Sequence, residues 1–109
     1  MAETLLTLGQ VNPSATTLTT LYTVPAVTSV TASSIVVCNQ AAASGTFRIA
    51  IRVAGASIDP KHYIYYDELI AANATFIATI GITLATTDVV SVYASASTMS
   101  FNLFGVQIT

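Results

Sequence analysis

His62 is the one side chain in this 109-residue chain whose ordinary titration suits a general base near neutral pH. Asp59 and Asp67 stand close to it in sequence and serines are plentiful, so the parts of a Ser-His-Asp relay exist. No Gly-x-Ser-x-Gly elbow presents a nucleophile. The plainer reading of His62 is a structural histidine at a strand edge beside a loop. Cys38 is the single thiol, and it follows Val36 and Val37 with no base adjacent. That setting predicts a buried, inert cysteine rather than a nucleophile. A lone cysteine excludes an internal disulfide. One His and one Cys do not build a zinc site within one chain. Asp67 and Glu68 are neighbours in a strand-like stretch, so they point to opposite faces and do not converge with Asp59 on a calcium ion. No catalytic residue, cofactor or metal is expected.

The remaining polar chemistry concerns recognition. Arg48 and Arg52 share one face of the alternating stretch TFRIAIRV, and Asp67 and Glu68 follow in the next one. Paired as neighbouring strands, they would form cross-strand ion pairs. The alternative is that Arg48 and Arg52 meet a partner. Tyr63, Tyr65 and Tyr66 could stack on sugars or bases, although strand tyrosines are more often core or interface. Three basic residues are too few to track a phosphate backbone, so nucleic acid is not an expected partner. Asn73-Ala74-Thr75 matches a glycosylation sequon. With no basic, apolar leader ahead of it, the match reads as chance.

The elements that position these residues follow from composition and period. Charged residues make up 7% of the chain, and the formal net charge is −2. Few charges would fit a membrane protein, but Asn12, Pro13, Pro25, Asn39 and Gln40 interrupt the long uncharged region, so no span of about 20 apolar residues forms. Thr, Val and Ile are abundant. Branching at Cβ favours strands, and no helix-period stripe occurs.

Seven or eight strands are expected, separated by turn signals. They cover LTTLYTV, VTASSIVVCN, TFRIAIRV, HYIYYDEL and residues 76–84, followed by a closing hairpin over residues 86–109. In that hairpin Met99, Phe101 and Leu103 share a face, after which Phe104, Val106 and Ile108 become the apolar set. The switch predicts a β-bulge near Gly105 that returns the second set to the core. In residues 76–84, Gly81 reads as a close backbone approach. The expected fold is an all-β, single-domain antiparallel sandwich over residues 14–109. Its wiring is jelly-roll-like, with an immunoglobulin-like arrangement as the alternative. Residues 1–13 are expected as an extended N-terminal arm whose Leu5, Leu6 and Leu8 dock on a partner.

The phrases LYTVP, SSIVVCNQ, TFRIAIRVAG, HYIYYDELIAAN and DVVSVYAS…MSFNLFGVQIT resemble small virion structural proteins of tailed phages, capsid decoration and accessory proteins above all. The turn before Val89, with Asp88 just ahead of a strand, is similar to the penultimate turn of trimeric jelly-roll domains, where glycine is usual at the place of Thr87. The resemblance implies a noncatalytic protein on the capsid surface of a bacteriophage, with the major capsid protein as partner and a homotrimer as its state. Low charge independently favours a homo-oligomer, because a lone sandwich would expose much uncharged surface. Leu5, Leu6 and Leu8, or Arg48 and Arg52, would make the capsid contact. A carbohydrate-binding sandwich using Tyr63, Tyr65 and Tyr66, or another virion component such as a fibre or knob, is the alternative.

Overall fold

The computed structural model describes residues 2–109. The strands are β1 (Glu3–Val11), β2 (Thr19–Thr23), β3 (Ser29–Asn39), β4 (Gly45–Arg52), β5 (Tyr63–Ile70), β6 (Thr75–Ala78), β7 (Ile82–Leu84), β8 (Val89–Ala94) and β9 (Met99–Ile108). Two short 3-10 turns, Val53–Gly55 and Pro60–His62, are the only helical pieces among the described residues.

The strands form two antiparallel sheets packed face to face. One has the order β1-β9-β3-β6, with β7 also on β3, and the other has the order β2-β8-β4-β5. β1 pairs with β9, β2 with β8, β3 with β6 and β7, and β4 with β5. First pairs with last and second with next to last, down to the one hairpin at β4–β5. A long antiparallel ribbon rolled up on itself has this order, which is jelly-roll wiring. The immunoglobulin-like alternative is therefore set aside. The expected closing hairpin is corrected too, because β8 and β9 lie in opposite sheets and the turn between them crosses the sandwich.

The phase switch in β9 is resolved differently from the expectation. β9 keeps strict alternation, with Met99, Phe101, Leu103 and Gly105 buried while Phe104, Val106 and Ile108 stay half-exposed on the outer face. The extra residues lie on its two neighbours. Leu8 bulges out of the β1 register and Ser33 out of the β3 register, on either side of Phe104. The Ser33 bulge moves β3 from Val30 and Ala32 facing inward to Ile35 and Val37 facing inward. At Gly105 any Cβ would run into the carbonyl oxygen of Thr31, so the crowding that requires glycine comes from β3.

The expected strand over residues 76–84 is broken between β6 and β7. Ile80 is exposed there, and Gly81 has φ +65 with nothing near its missing Cβ. This glycine serves a left-handed turn rather than a close approach.

The expected arm is the edge strand of the first sheet. Glu3 to Val11 pair along β9, although Met1 lies outside the described residues. The reason it reads as an arm is physical. Leu5, Leu6 and Leu8 do not alternate, and the bulge is what turns Leu8 into the core.

The core centres on Phe47 of β4. Its ring lies 5.0 Å from Phe76 and 6.2 Å from both Tyr65 and Phe101, bringing the two sheets together through aromatic contacts.

Val27 shows where the turns are strained. It has φ +53 and is 87% exposed, so a β-branched side chain holds a left-handed backbone without packing on anything. Val27→Asn is expected to raise stability by about 1 kcal/mol, because asparagine tolerates this region. A urea midpoint that falls instead would show that the Val27 methyls contribute to the fold.

Candidate functional site

The outer face of the four-stranded sheet brings charged side chains together with tyrosines. On β4, Arg48, Ala50 and Arg52 point outward opposite Tyr93, Ser91 and Val89 of β8. Arg48 sits at the centre. Its Nε donates to Asp67 Oδ1 at 2.6 Å and its Nη2 to Oδ2 at 3.3 Å. The guanidinium carbon lies 4.2 Å from the ring centres of both Tyr66 and Tyr93, so the cation is held between two aromatic faces. The hydrogen bond that Arg48 donates to the Asp67 carboxylate raises the Arg48 pKa further above its ordinary value, and the cation is fixed at any working pH.

Two irregularities in β5 build this cluster. Tyr66 and Asp67 together face Arg48 alone, with Asp67 at φ +50, and Ile64 is an extra residue between the Tyr65 and Tyr63 pairs. Simple alternation would put Tyr63 beside Tyr65. The Ile64 bulge instead brings Tyr63 round to Tyr66, ring centres 5.0 Å apart and planes at 82°. Tyr65 turns inward, against Phe47 and Phe76. Of the three tyrosines singled out from the sequence, the fold joins Tyr63 and Tyr66 and sends Tyr65 to the core.

Tyr63 and Tyr66 line a cleft of about 530 Å³ with Ile58, Asp59 and Pro60. The Asp59–His62 turn forms its wall. Asp59 Oδ1 accepts from the Lys61 N–H at 3.2 Å, and the Asp59 N–H donates to His62 Nδ1 at 3.0 Å. His62 is buried in this reciprocal cap, and its ring holds the turn.

The other residues singled out from the sequence lie apart. Arg52 donates from Nε to Ser91 Oγ at 3.2 Å and from Nη1 to the Ala56 carbonyl at 3.2 Å. Glu68 is exposed, and Arg48–Asp67 is the ion pair found among the described residues. Leu5, 83% exposed, lies on the outer face of the other sheet, Leu6 is exposed, and Leu8 is core. The leucines and the arginines therefore sit on opposite sheets and cannot form one contact. Cys38 corrects the expectation of burial. It is half-buried on the outer face of β3, opposite Ser100 and Thr75, because the Ser33 bulge sets Val37 and Asn39 inward.

Two structural residues were not singled out for what they do. Asp88 accepts from the Ala54 and Ala85 N–H groups, and Asn39 ties together two turns. Among the described residues no group of three or more His, Cys, Asp or Glu side chains converges as a metal site, and no helix is long and apolar enough to cross a membrane. No protein-family model, curated protein or solved structure matches this chain.

Proposed function

We propose that the chain is a noncatalytic structural protein of a phage virion, which decorates or stabilises the capsid surface as a homo-oligomer. The supporting observation is the asymmetry of charge between the two sheets. Glu3 is the one charged residue in the five strands of the β1-β9-β3-β6 sheet and β7, while the other charges lie on β4, β5 and the loops. The outer face of that sheet carries Leu5 beside Val106, Phe104 and Val36 near the centre, and Ile77 on β6. Leu5 and Ile77 are exposed, so among the described residues the surface that faces outward across this sheet carries a single charge, Glu3 at the β1 edge. Surfaces of this kind mark contacts with other protein, and the β1 edge lacks the lysines that guard a free edge. The capsid as partner and the trimer as state follow from the resemblance to phage decoration proteins.

Cys38 lies on this face and serves as its reporter. A maleimide is expected to modify Cys38 in the free chain, whereas chain assembled on capsids is protected. The double variant Leu5→Asp with Ile77→Asp, checked for an unchanged β spectrum, is expected to bind stripped capsids at least about tenfold more weakly. Equal labelling in both states together with full affinity of the variant would remove this face from the assembly. A chain that binds no capsid at all would remove the virion role.

A further inference from the structure

We infer that the cleft beside Tyr63 and Tyr66 binds a neutral pyranose sugar. This is independent of the capsid role, since the cleft lies on the opposite sheet from the face of Leu5 and Ile77.

Shape comes first. The two rings meet at 82° with centres 5.0 Å apart, so they form a corner, not a flat plate. Tyr66 is 59% exposed. Ile58 and Pro60 add apolar surface on the loop side. A pyranose has this mixed character, with C–H groups that pack on apolar and aromatic surface and hydroxyls around its rim. The volume of about 530 Å³ falls within the range of small-ligand sites.

Polar chemistry narrows the class. Asp59 is the charged group lining the cleft. One of its oxygens receives the Lys61 N–H, and an ionised carboxylate has about four acceptor positions. Acceptor capacity therefore remains for sugar hydroxyls. Charge then excludes ionic ligands. An anion would meet Asp59. A cation seeking the tyrosine faces would meet Arg48, whose guanidinium already lies 4.2 Å from the Tyr66 ring centre. A neutral ligand that donates hydroxyl protons satisfies Asp59 and is not repelled by Arg48.

The wall is fixed in advance. Pro60 limits its backbone, and the Asp59 N–H to His62 Nδ1 bond closes the turn. Such a wall lowers the ordering cost of binding.

The test is a titration of the full chain by nuclear magnetic resonance with methyl β-D-glucopyranoside, methyl β-D-galactopyranoside and methyl α-D-mannopyranoside. Tetramethylammonium and an oligoproline serve as competing classes. At least one sugar is expected to give saturable shifts of the Ile58 methyl and the Tyr63 and Tyr66 ring signals, with a Kd of about 1–20 mM, as suits a ligand of this size. Tyr66→Ala is expected to weaken binding at least about tenfold. Asp59→Asn, which keeps an oxygen for the Lys61 N–H, should weaken it about threefold. Tyr65→Phe should leave it unchanged. The inference is overturned if no sugar shifts these signals, if tetramethylammonium or oligoproline binds more tightly than every sugar, or if both folded variants at Tyr66 and Asp59 bind like the parent.

Discussion

Replacing Asn39 by alanine is expected to lower the free energy of unfolding by about 3–4 kcal/mol, a large share of a small domain's stability. Asn39 is 1% exposed at the end of β3. Its amide nitrogen donates to the Ala43 carbonyl at 3.0 Å and the Ala71 carbonyl at 3.1 Å, and its Oδ1 accepts from the Ala41 N–H at 3.1 Å. The first and third bonds shape the turn between β3 and β4. The second reaches the turn between β5 and β6, which the backbone also ties through Asn73 N–H to the Ala41 carbonyl at 2.9 Å. Alanine removes all three bonds and strands the Ala41 N–H, while the Ala71 carbonyl keeps the Ala74 N–H at 3.2 Å. Each lost bond costs about 1 kcal/mol net, and the stranded Ala41 N–H adds about 1 kcal/mol. Aspartate fills the same volume but sets a carboxylate against two carbonyl oxygens, so Asn39→Asp should be no better than alanine. Urea unfolding checks the order. The midpoint should fall in both variants while the slope m is unchanged. A loss below about 1 kcal/mol would mean that water takes the place of the amide.

The contrast between what could be read in advance and what could not has one physical source. β4 was legible because Phe47, Ile49 and Ile51 face one way and Arg48, Ala50 and Arg52 the other, without interruption. The sandwich class followed from many such short periods. Bulges hid the rest. One extra residue at Leu8 concealed β1 as an arm, one at Ser33 exchanged the faces of β3, and one at Ile64 moved Tyr63 from the side of Tyr65 to that of Tyr66. A bulge has a weak local signature, because it is specified by two neighbouring strands at once. Phe104 shows this: the need for bulges arises on β9, while the extra residues lie on β1 and β3. The candidate cleft was half legible for the same reason. The tyrosines stood out by type, and Asp59-Pro60 as a loop, but their meeting depends on the register of β5.

The turn at Thr87 draws the same line between motif and mechanism. The resemblance to trimeric jelly-roll turns expects glycine there, and Thr87 does adopt φ +70, the left-handed conformation that glycine enters freely. Threonine is held in it by its neighbours. The Thr87 N–H donates to the Val24 carbonyl at 3.1 Å, and the Val24 N–H donates to the Asp88 carbonyl at 3.0 Å. Threonine thus keeps a left-handed turn here, and the load falls on Asp88.

Asp88→Asn is accordingly expected to lower stability by about 3–4 kcal/mol. The side chain is 7% exposed, and its two oxygens have separate tasks. Oδ2 accepts from the Ala85 N–H at 2.9 Å and closes its own turn, while Oδ1 accepts from the Ala54 N–H at 2.9 Å, across the chain. Ala54 has φ +56 and opens the segment 53–62 that ends in the cleft wall. A carboxylate suits this place because both partners are donors. Asparagine has one acceptor oxygen and turns an N–H₂ group toward the other N–H, so one bond is lost and two donors face each other whichever way the amide is set. A charge-assisted bond contributes about 1.5–3 kcal/mol, and the stranded N–H adds about 1 kcal/mol or more. For a domain of this size the melting temperature should fall by about 15–20 °C. Hydrogen exchange distinguishes this cause from general softening. In the folded variant the amides of Ala54 and Ala85 should lose protection first, while those of β3 and β9 keep theirs. A melting temperature within about 3 °C of the parent, corresponding to less than about 1 kcal/mol, would show that Asp88 does not hold the loop.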